Sequence, residues 1–317
     1  MTAILFGLSA WAIASEFRKY GAQEIFNNIR AIAPLSLLTA VGFTALNYLF
    51  LTGYDTLAVR YARHPLPYRK TALVAAISYA ISNSVGMALL SGSAVRYRFY
   101  ATWGLSTGKV AQIVAFCNVS FWIGLFAVGG LVFTLQPLSA PKLLHLPFDS
   151  VQPIGLLFLG GITAYLLLSA LRQKPFRVGD WSLPHLPLRL SLAQIIITSC
   201  DWSLAAAVLY VLLPHQAVPS YFVFFSIYLT ALLAGIISNV PGGLGVFETV
   251  LIMLLSPPLT SDTLLSALLV YRAIYYFLPL VLGVLLLLTY EVRHRLQRRS
   301  ASRHRTAPVN PGHRVEN

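Results

Sequence analysis

Charged residues are scarce in this sequence, making up 10% of its 317 residues, whereas soluble domains carry about 25%. Hydrophobic residues make up 57%, and the mean hydropathy is +0.70. Apolar stretches close to the ~20 residues needed to cross a bilayer recur along the whole chain. The composition excludes an ordinary soluble protein and predicts a polytopic membrane protein.

Side chains that usually perform catalysis or bind metals are missing from the apolar segments. All seven histidines fall in predicted loops or the C-terminal tail, and no His-Glu-x-x-His or Cys-x-x-Cys occurs. There is also no glycine-rich phosphate loop ending in Lys-Ser/Thr and no Gly-x-Ser-x-Gly. We therefore predict that the protein is not an enzyme and binds no cofactor or metal. Cys117 and Cys200 lie in separate apolar segments and are predicted to be unpaired core residues.

The apolar segments define the predicted topology. Two of them, 71–95 and 220–256, are interrupted by small or turn-forming residues, and we interpret them as broken or re-entrant helical hairpins. The remaining segments predict about six full crossings, at about 1–15, 33–52, 110–134, 153–171, 190–212 and 264–288. The predicted fold is thus an all-α polytopic membrane protein with two hairpins. One transmembrane domain, 1–290, precedes a basic tail, 291–317, whose end is expected to be disordered.

The two hairpin breaks share a sequence pattern. Ile-Ser-Asn-Ser-Val-Gly at 81–86 resembles Ile-Ser-Asn-Val-Pro-Gly at 237–242, and a Tyr/Arg cluster follows each. Glycine and proline interrupt helices, and interrupted backbone at membrane depth is tolerated only inside protein or beside a wet cavity. The pattern predicts an inverted repeat, as in many secondary transporters; coincidence in a biased composition is the alternative. The predicted break residues are Asn83, Gly86, Asn239, Pro241, Gly242, Gly243 and Gly245.

The net charge of +13 does not indicate nucleic-acid binding, because the positive residues lie in short loops and the tail. The hairpin topology puts 18 of the 23 Lys and Arg residues on one side and four on the other. A nine-crossing topology gives 17 and five, so charge alone does not choose between them. In both topologies the positive-inside rule predicts a cytoplasmic C-terminus. Aromatic residues after the hairpins are predicted to be interfacial anchors, namely Tyr97, Tyr100, Trp103, Tyr275 and Tyr276.

Charged residues inside or beside the apolar segments are the candidate substrate-binding or translocation residues. Each intramembrane charge costs at least ~2.5–3.5 kcal/mol, so it marks a functional site by default. Arginine suits a lipid phosphate because its planar fork binds two oxygens at once. Glu248 and Asp201 are expected to pair with Arg272, Arg96 or Arg98, and purely structural ion pairs that lock helices together are the alternative. The candidates are Asp55, Arg96, Arg98, Asp201, Glu248 and Arg272.

Several of these motifs resemble one known family. Pro-Gly-Gly-Leu-Gly-Val-Phe-Glu at 241–248 is similar to the signature of the lysylphosphatidylglycerol synthase transmembrane-region family. Further resemblance lies in Gly-Tyr-Asp-Thr-Leu-Ala at 53–58, Val-Arg-Tyr-Arg-Phe-Tyr at 95–100 and Leu-Val-Tyr-Arg at 269–272. The family includes the membrane half of multiple peptide resistance factor and stand-alone YbhN-like proteins of the bacterial inner membrane.

The resemblance implies a lipid transporter of the flippase type in the bacterial cytoplasmic membrane. Its lipid would be an anionic or aminoacylated phospholipid or a related lipid. The synthase domain of the two-domain relatives is absent, so the chain itself is not expected to make the lipid. Two alternatives stay open. The first is a non-transporting scaffold that partners a lipid- or envelope-biosynthesis enzyme, and the second, which the missing motifs disfavour, is an intramembrane transferase on lipid-linked substrates.

Overall fold

A computed structural model of the protein describes residues 22–85, 88–138, 149–172, 176–178, 181–183, 186–214, 216–238, 245–257 and 259–305. Helices dominate, and they are α1 (Ala22–Ala31), α2 (Pro34–Tyr61), α3 (Tyr68–Val85), α4 (Ala88–Thr102), α5 (Thr107–Leu135), α6 (Gln152–Leu171), α7 (Leu188–Tyr210), α8 (Tyr221–Ile237), α9 (Val246–Leu255), α10 (Ser261–Arg272) and α11 (Leu278–Arg305). A π-helical segment, Ala273–Phe277, joins α10 to α11. A short antiparallel hairpin of β1 (Phe176–Val178) and β2 (Trp181–Leu183) precedes α7 and was not predicted.

Five helices of the described chain are long and apolar enough to cross a membrane: α2, α5, α6, α7 and the stretch Ser261–Arg293 of α10–α11. They correspond to five of the six predicted crossings. The sixth, at 1–15, lies outside the described residues. The prediction of an all-α polytopic membrane protein is confirmed. α11 continues to Arg305, so the first half of the predicted tail is helical.

α2 and α7 form an antiparallel pair at the centre of the fold. Asn47 lies at the middle of α2 and donates from Nδ2 to Oδ1 of Asp201 at 2.8 Å, near the middle of α7. Further along α2, Gly53 faces Ile197, which precedes Asp201 on α7. A Cβ at Gly53 would approach the Ile197 side chain to 2.9 Å, so the missing side chain permits close packing. We call the side at which α2 ends and α7 begins the near face, and the other side the far face.

α5 runs parallel to α7 and completes the centre. Gln194 Nε2 donates to Ser120 Oγ at 2.5 Å, and one turn later a Cβ at Gly124 would meet Thr198. Residues from one half of each of these helices, α2, α5 and α7, pack in a hydrophobic cluster at the near face. Residues from the other half of each helix pack in a second cluster at the far face. These three helices therefore hold both halves of the structure together.

The predicted hairpin at 71–95 is two antiparallel helices, of which α3 ends at Val85 and α4 begins at Ala88. Gly92 packs against Ser82, and the Arg96 guanidinium lies over the ring of Tyr79 at 4.7 Å, so the arms pair in register about the break. α4 has 15 residues, or about 22 Å of helix, which is short of the ~30 Å hydrocarbon layer. Because α3 follows the end of α2, this hairpin enters from the near face.

The second predicted hairpin comprises α8 and α9, which follow the end of α7 and so enter from the far face. α9 packs beside α8, with the rings of Tyr228 and Phe247 5.5 Å apart. Gly245 has φ +81°, a left-handed conformation that favours glycine, and directly precedes α9. Asn83 lies in the last turn of α3. The other predicted break residues lie outside the described residues: Gly86, Asn239, Pro241, Gly242 and Gly243.

Both hairpins reach the π-helical segment from opposite sides. Ser84, near the tip of the first hairpin, donates from Oγ to the carbonyl oxygen of Tyr276 at 3.1 Å. Glu248, in the first turn of α9, contacts Arg272 directly before the π segment. Pro279 explains the irregular turn, because it has no N–H to donate to the preceding turn of an α-helix. The opposed entry of the two hairpins supports the predicted inverted arrangement.

The close approach of Gly92 to Ser82 generates a prediction about the first hairpin. A Cβ at Gly92 would lie 2.3 Å from Ser82 Oγ, so Gly92→Ala should destabilise the protein by about 1–3 kcal/mol through overpacking. Equilibrium unfolding in mixed micelles measures the change. Gly42→Ala is the control, because nothing lies within 4 Å of the added Cβ. Adding Ser82→Ala should restore stability to Gly92→Ala, and equal losses in both glycine variants would contradict the packing argument.

Candidate functional site

The first candidate pair is a buried ion pair between α2 and α4. Arg96 donates from Nε to Asp55 Oδ1 at 2.9 Å and from Nη2 to Oδ2 at 2.8 Å, a two-pronged geometry that a planar guanidinium favours. The side chains are 5% and 0% exposed. The Tyr100 hydroxyl donates to Asp55 Oδ1 at 2.8 Å, and Tyr79 covers the guanidinium. The Asp55 carboxylate therefore accepts three hydrogen bonds and has no contact with solvent.

The second candidate pair joins the second hairpin to α10. Arg272 donates from Nε to Glu248 Oε1 at 3.0 Å, and its Nη2 contacts the same oxygen. The backbone N–H of Gly245 donates to Glu248 Oε2 at 2.8 Å, so the carboxylate also caps the start of α9. Arg272 was one of three arginines that the sequence left open as partners of Glu248. Its side chains are 19% and 14% exposed, so it is more accessible than the first pair.

The third candidate, Asp201, has neutral partners. Its Oδ1 accepts from Asn47 Nδ2, and its Oδ2 accepts from the Tyr54 hydroxyl at 2.6 Å. Asn47 Nδ2 also donates to the Asp201 backbone carbonyl at 2.7 Å, and Asn47 Oδ1 contacts the Tyr275 hydroxyl at 3.2 Å. The prediction that Asp201 pairs with an arginine is wrong, because the nearby arginines are held by Asp55 and Glu248.

Contacts between aromatic rings connect the three candidates. Tyr54, on Asp201, packs edge-on against Tyr79 at 5.5 Å, and Tyr79 covers Arg96. On the other side, Tyr275 stacks on Tyr271 at 5.3 Å, and Tyr271 is the residue before Arg272. One continuous polar and aromatic network thus runs from the first hairpin, through the centre, to the second.

Arg98 lies apart from this network. It pairs with Glu291 of α11, and its side chain is 60% exposed. Residues 96 and 98 are two apart on α4, so their side chains point to different sides of the helix. The structure therefore brings Asp55, Arg96 and Asp201 into one network with the Glu248 pair, and it leaves Arg98 outside.

Two predicted interfacial anchors are core residues instead. Tyr100 is 0% exposed and hydrogen-bonds Asp55, and Tyr275 is 6% exposed and contacts Asn47. Tyr276 packs beside Tyr275, with their rings 5.1 Å apart. The rings of Tyr100 and Tyr275 can be buried because the hydroxyl of each has a hydrogen-bond partner in the core. Tyr97 is 49% exposed at the surface.

Sequence reasoning missed Asn47, Tyr54 and Tyr79 as site residues. Asn47 carried a usable signal, since an amide in an apolar run needs an internal partner when it is buried. The two tyrosines carried none, because tyrosine suits cores and interfaces equally well. Among the described residues, no group of three His, Cys, Asp or Glu side chains could hold a metal.

Comparison with known proteins places the chain in a family. The family described as the lysylphosphatidylglycerol synthase TM region matches residues 2–283. The chain belongs to this family. It is 52% identical to the uncharacterized protein slr0712 of Synechocystis over 301 residues, covering 95% of the chain and 94% of that protein. It is 31% identical to inner membrane protein YbhN of Escherichia coli over 276 residues, covering 86% of each.

Longer relatives contain a similar region as one part. The chain is 25% identical to phosphatidylglycerol lysyltransferase of Staphylococcus aureus (strain COL) over 240 residues. The match covers 74% of the chain and 27% of the lysyltransferase. The similarity is therefore to a segment of that enzyme.

The burial of the Asp55 pair generates a stability prediction. Asp55→Asn leaves Arg96 buried without a counter-ion, which should cost about 3–5 kcal/mol in the free energy of unfolding. The Arg98–Glu291 pair is largely exposed, so Glu291→Gln should cost no more than about 1 kcal/mol. Equilibrium unfolding in mixed micelles compares the two. Asp55→Leu with Arg96→Met should recover much of the loss, and a small effect of Asp55→Asn alone would contradict the geometry.

Proposed function

We propose that this membrane protein moves a lipid with an anionic headgroup, or an aminoacylated form of such a lipid, between the two leaflets. The observation that supports this proposal is the partly exposed Arg272–Glu248 pair. It lies at the start of α9 and directly before the π segment that both hairpins reach. The relatives named phosphatidylglycerol lysyltransferase support an anionic phospholipid as the lipid class. We propose transport without catalysis, and hence no cofactor.

Arg272 is the proposed contact for the headgroup phosphate. A phosphate offers oxygens to the same guanidinium fork that now holds Glu248. Exchange of one anion for the other keeps the arginine paired throughout, so the buried guanidinium is never left without an anion. Glu248 would then stay on the Gly245 N–H or meet the cationic group of an aminoacylated headgroup.

The opposed hairpins offer a route for alternating exposure. The first enters from the near face and the second from the far face, and both end at the π segment. Movement of one hairpin against the central helices would open the middle of the protein to one side at a time, as in transporters built from inverted repeats. The buried Arg96–Asp55 pair would hold the first hairpin to α2 during this movement.

Lipid translocation in proteoliposomes tests the proposal. Purified protein should accelerate movement of fluorescent phosphatidylglycerol between leaflets relative to empty vesicles. Glu248→Gln and Arg272→Gln should each lose most of this activity, because each removes one side of the anion-exchange pair. Arg272→Lys should retain only part of it, since lysine keeps the charge but lacks the fork.

Glu291→Gln is the matched control for Glu248→Gln, because it makes the same chemical change at the exposed pair. It should translocate lipid at the wild-type rate. Wild-type rates in folded Glu248→Gln and Arg272→Gln would overturn the site. Absence of translocation by the wild-type protein, together with copurification of a lipid-biosynthesis enzyme, would favour the scaffold alternative.

We further propose that the near face is cytoplasmic and that the membrane is the bacterial inner membrane, as the name of the YbhN relative says of that protein. α11 ends at the near face, where its Tyr290 packs on Phe99 of α4. The positive residues of the predicted inner loops belong to this side.

A pair of C-terminal fusions tests this orientation. A green fluorescent protein fused after residue 317 should fluoresce, and alkaline phosphatase at the same position should be inactive, because the phosphatase folds only in an oxidising compartment. Phosphatase fused in the predicted outer loop, 136–152, should be active. The opposite pattern would contradict the orientation while leaving the fold intact.

A further inference from the structure

Asp201 is a buried carboxylate without a cationic partner. It is 8% exposed, and no lysine, arginine or histidine in the described chain forms an ion pair with it. Asp55 and Glu248 are each neutralised by an arginine, so the central network carries one uncompensated negative charge when Asp201 is ionised. A buried ion without compensation costs several kcal/mol, and a proton removes that cost.

The titratable groups close enough to Asp201 to interact with its charge are hydroxyls and one thiol. They come from α2, α3, the π segment, α8 and α7 itself, and they are Tyr48, Tyr54, Tyr79, Tyr275, Tyr228 and Cys200. None of them carries a positive charge. The described surroundings therefore give Asp201 hydrogen bonds but no counter-charge.

The donor set suits a proton better than a metal cation. The backbone carbonyl of Asp201 can only accept, so Asn47 must turn its nitrogen toward Asp201. That leaves an N–H, and not an amide oxygen, against Oδ1. A sodium ion would need several oxygen ligands at this point. Tyr54, by contrast, can donate to the carboxylate or accept from the protonated acid at Oδ2, so the 2.6 Å contact fits both states.

We propose that Asp201 is a proton-binding site that drives or gates lipid movement. A water-borne proton adds to Oδ2, the Tyr54 hydroxyl changes from donor to acceptor, and the side chain changes from −1 to neutral; release reverses each step. This inference rests on the proposed function for its coupling to lipid, but the proton site is testable without any lipid movement.

The position of Asp201 gives protonation a route to both hairpins. Tyr54 connects Asp201 to Tyr79, which covers Arg96 in the first hairpin. Asn47 connects it to Tyr275, which is three residues from Arg272. A change in the Asp201 hydrogen bonds therefore alters the packing beside each arginine pair.

Infrared difference spectra of the protein in lipid nanodiscs test the site directly. Spectra between about pH 5 and about pH 9 cover the range in which buried carboxyl groups titrate. The wild-type protein should show the carbonyl stretch of a protonated carboxylic acid, shifted in heavy water, that disappears as pH rises. Asp201→Asn should lose this band, whereas Asp149→Asn, the same change at an exposed loop residue, should keep it. Tyr54→Phe should keep the band but shift its frequency and titration midpoint.

Translocation of fluorescent phosphatidylglycerol under an imposed pH gradient tests the coupling. The gradient should change the wild-type rate, and Asp201→Asn should lose this response. A band that persists in Asp201→Asn, or a carboxylate stretch that shifts with sodium in place of pH, would overturn the proton site. Wild-type translocation indifferent to the gradient would overturn the coupling. If wild-type protein moves no lipid, the proposed function fails, and the infrared band alone decides the proton site.

Discussion

A charge in a medium of low dielectric constant must find a partner or be neutralised, and this requirement organises the centre of the fold. Arg96 ties the first hairpin to Asp55 on α2, and Arg272 ties the second hairpin, through Glu248, to the last transmembrane stretch. Both hairpins are thus held by the need to keep an arginine paired. The apolar packing of the central helices brings the partners close enough for this to work.

The antiparallel pairing of α2 with α7 fixes the inverted arrangement. Each hairpin follows the end of one of these helices, so opposite helix directions send the hairpins in from opposite faces. Their tips stop at the π segment, where Pro279 already prevents a regular α-helix. The described ends of both hairpins therefore lie beside the irregular π segment, through Ser84 and Glu248.

The sequence predicted those features that depend on local pattern. Apolar length predicted the crossings, and glycine and proline predicted the breaks. Of the six isolated charges chosen as candidates, five lie in the central network, and Arg98 lies outside it. Glu248 and Arg272 both stood out as charges in apolar surroundings, but the sequence left three arginines open as partners of Glu248, and the structure selects Arg272. The predicted end of the second segment at residue 52 was too early, since α2 continues to Tyr61. The helix extends beyond the apolar segment because Arg96 pairs with Asp55 inside the protein.

Features that depend on tertiary contact could not be predicted in this way. Tyr100 and Tyr275 resemble interfacial anchors in sequence. They are buried because the partners of their hydroxyls lie on other helices, which the sequence does not reveal. The partners of Asp201 lie on α2, about 150 residues away, with no shared motif. Arg96 and Arg98 belong to one motif, yet one is buried and the other is exposed, because two residues along a helix change the side that a side chain faces.

The two arginine pairs differ in a way that suggests different tasks. Arg96 uses two nitrogens on two oxygens of a carboxylate that a tyrosine also holds, and a second tyrosine covers its face. An incoming anion would have to break all of these contacts at once. Arg272 binds a single oxygen of a partly exposed carboxylate, whose other oxygen is held by a backbone N–H. Replacing that one oxygen by a phosphate oxygen breaks fewer contacts, so the second pair suits exchange with a ligand, and the first suits holding a hairpin in place.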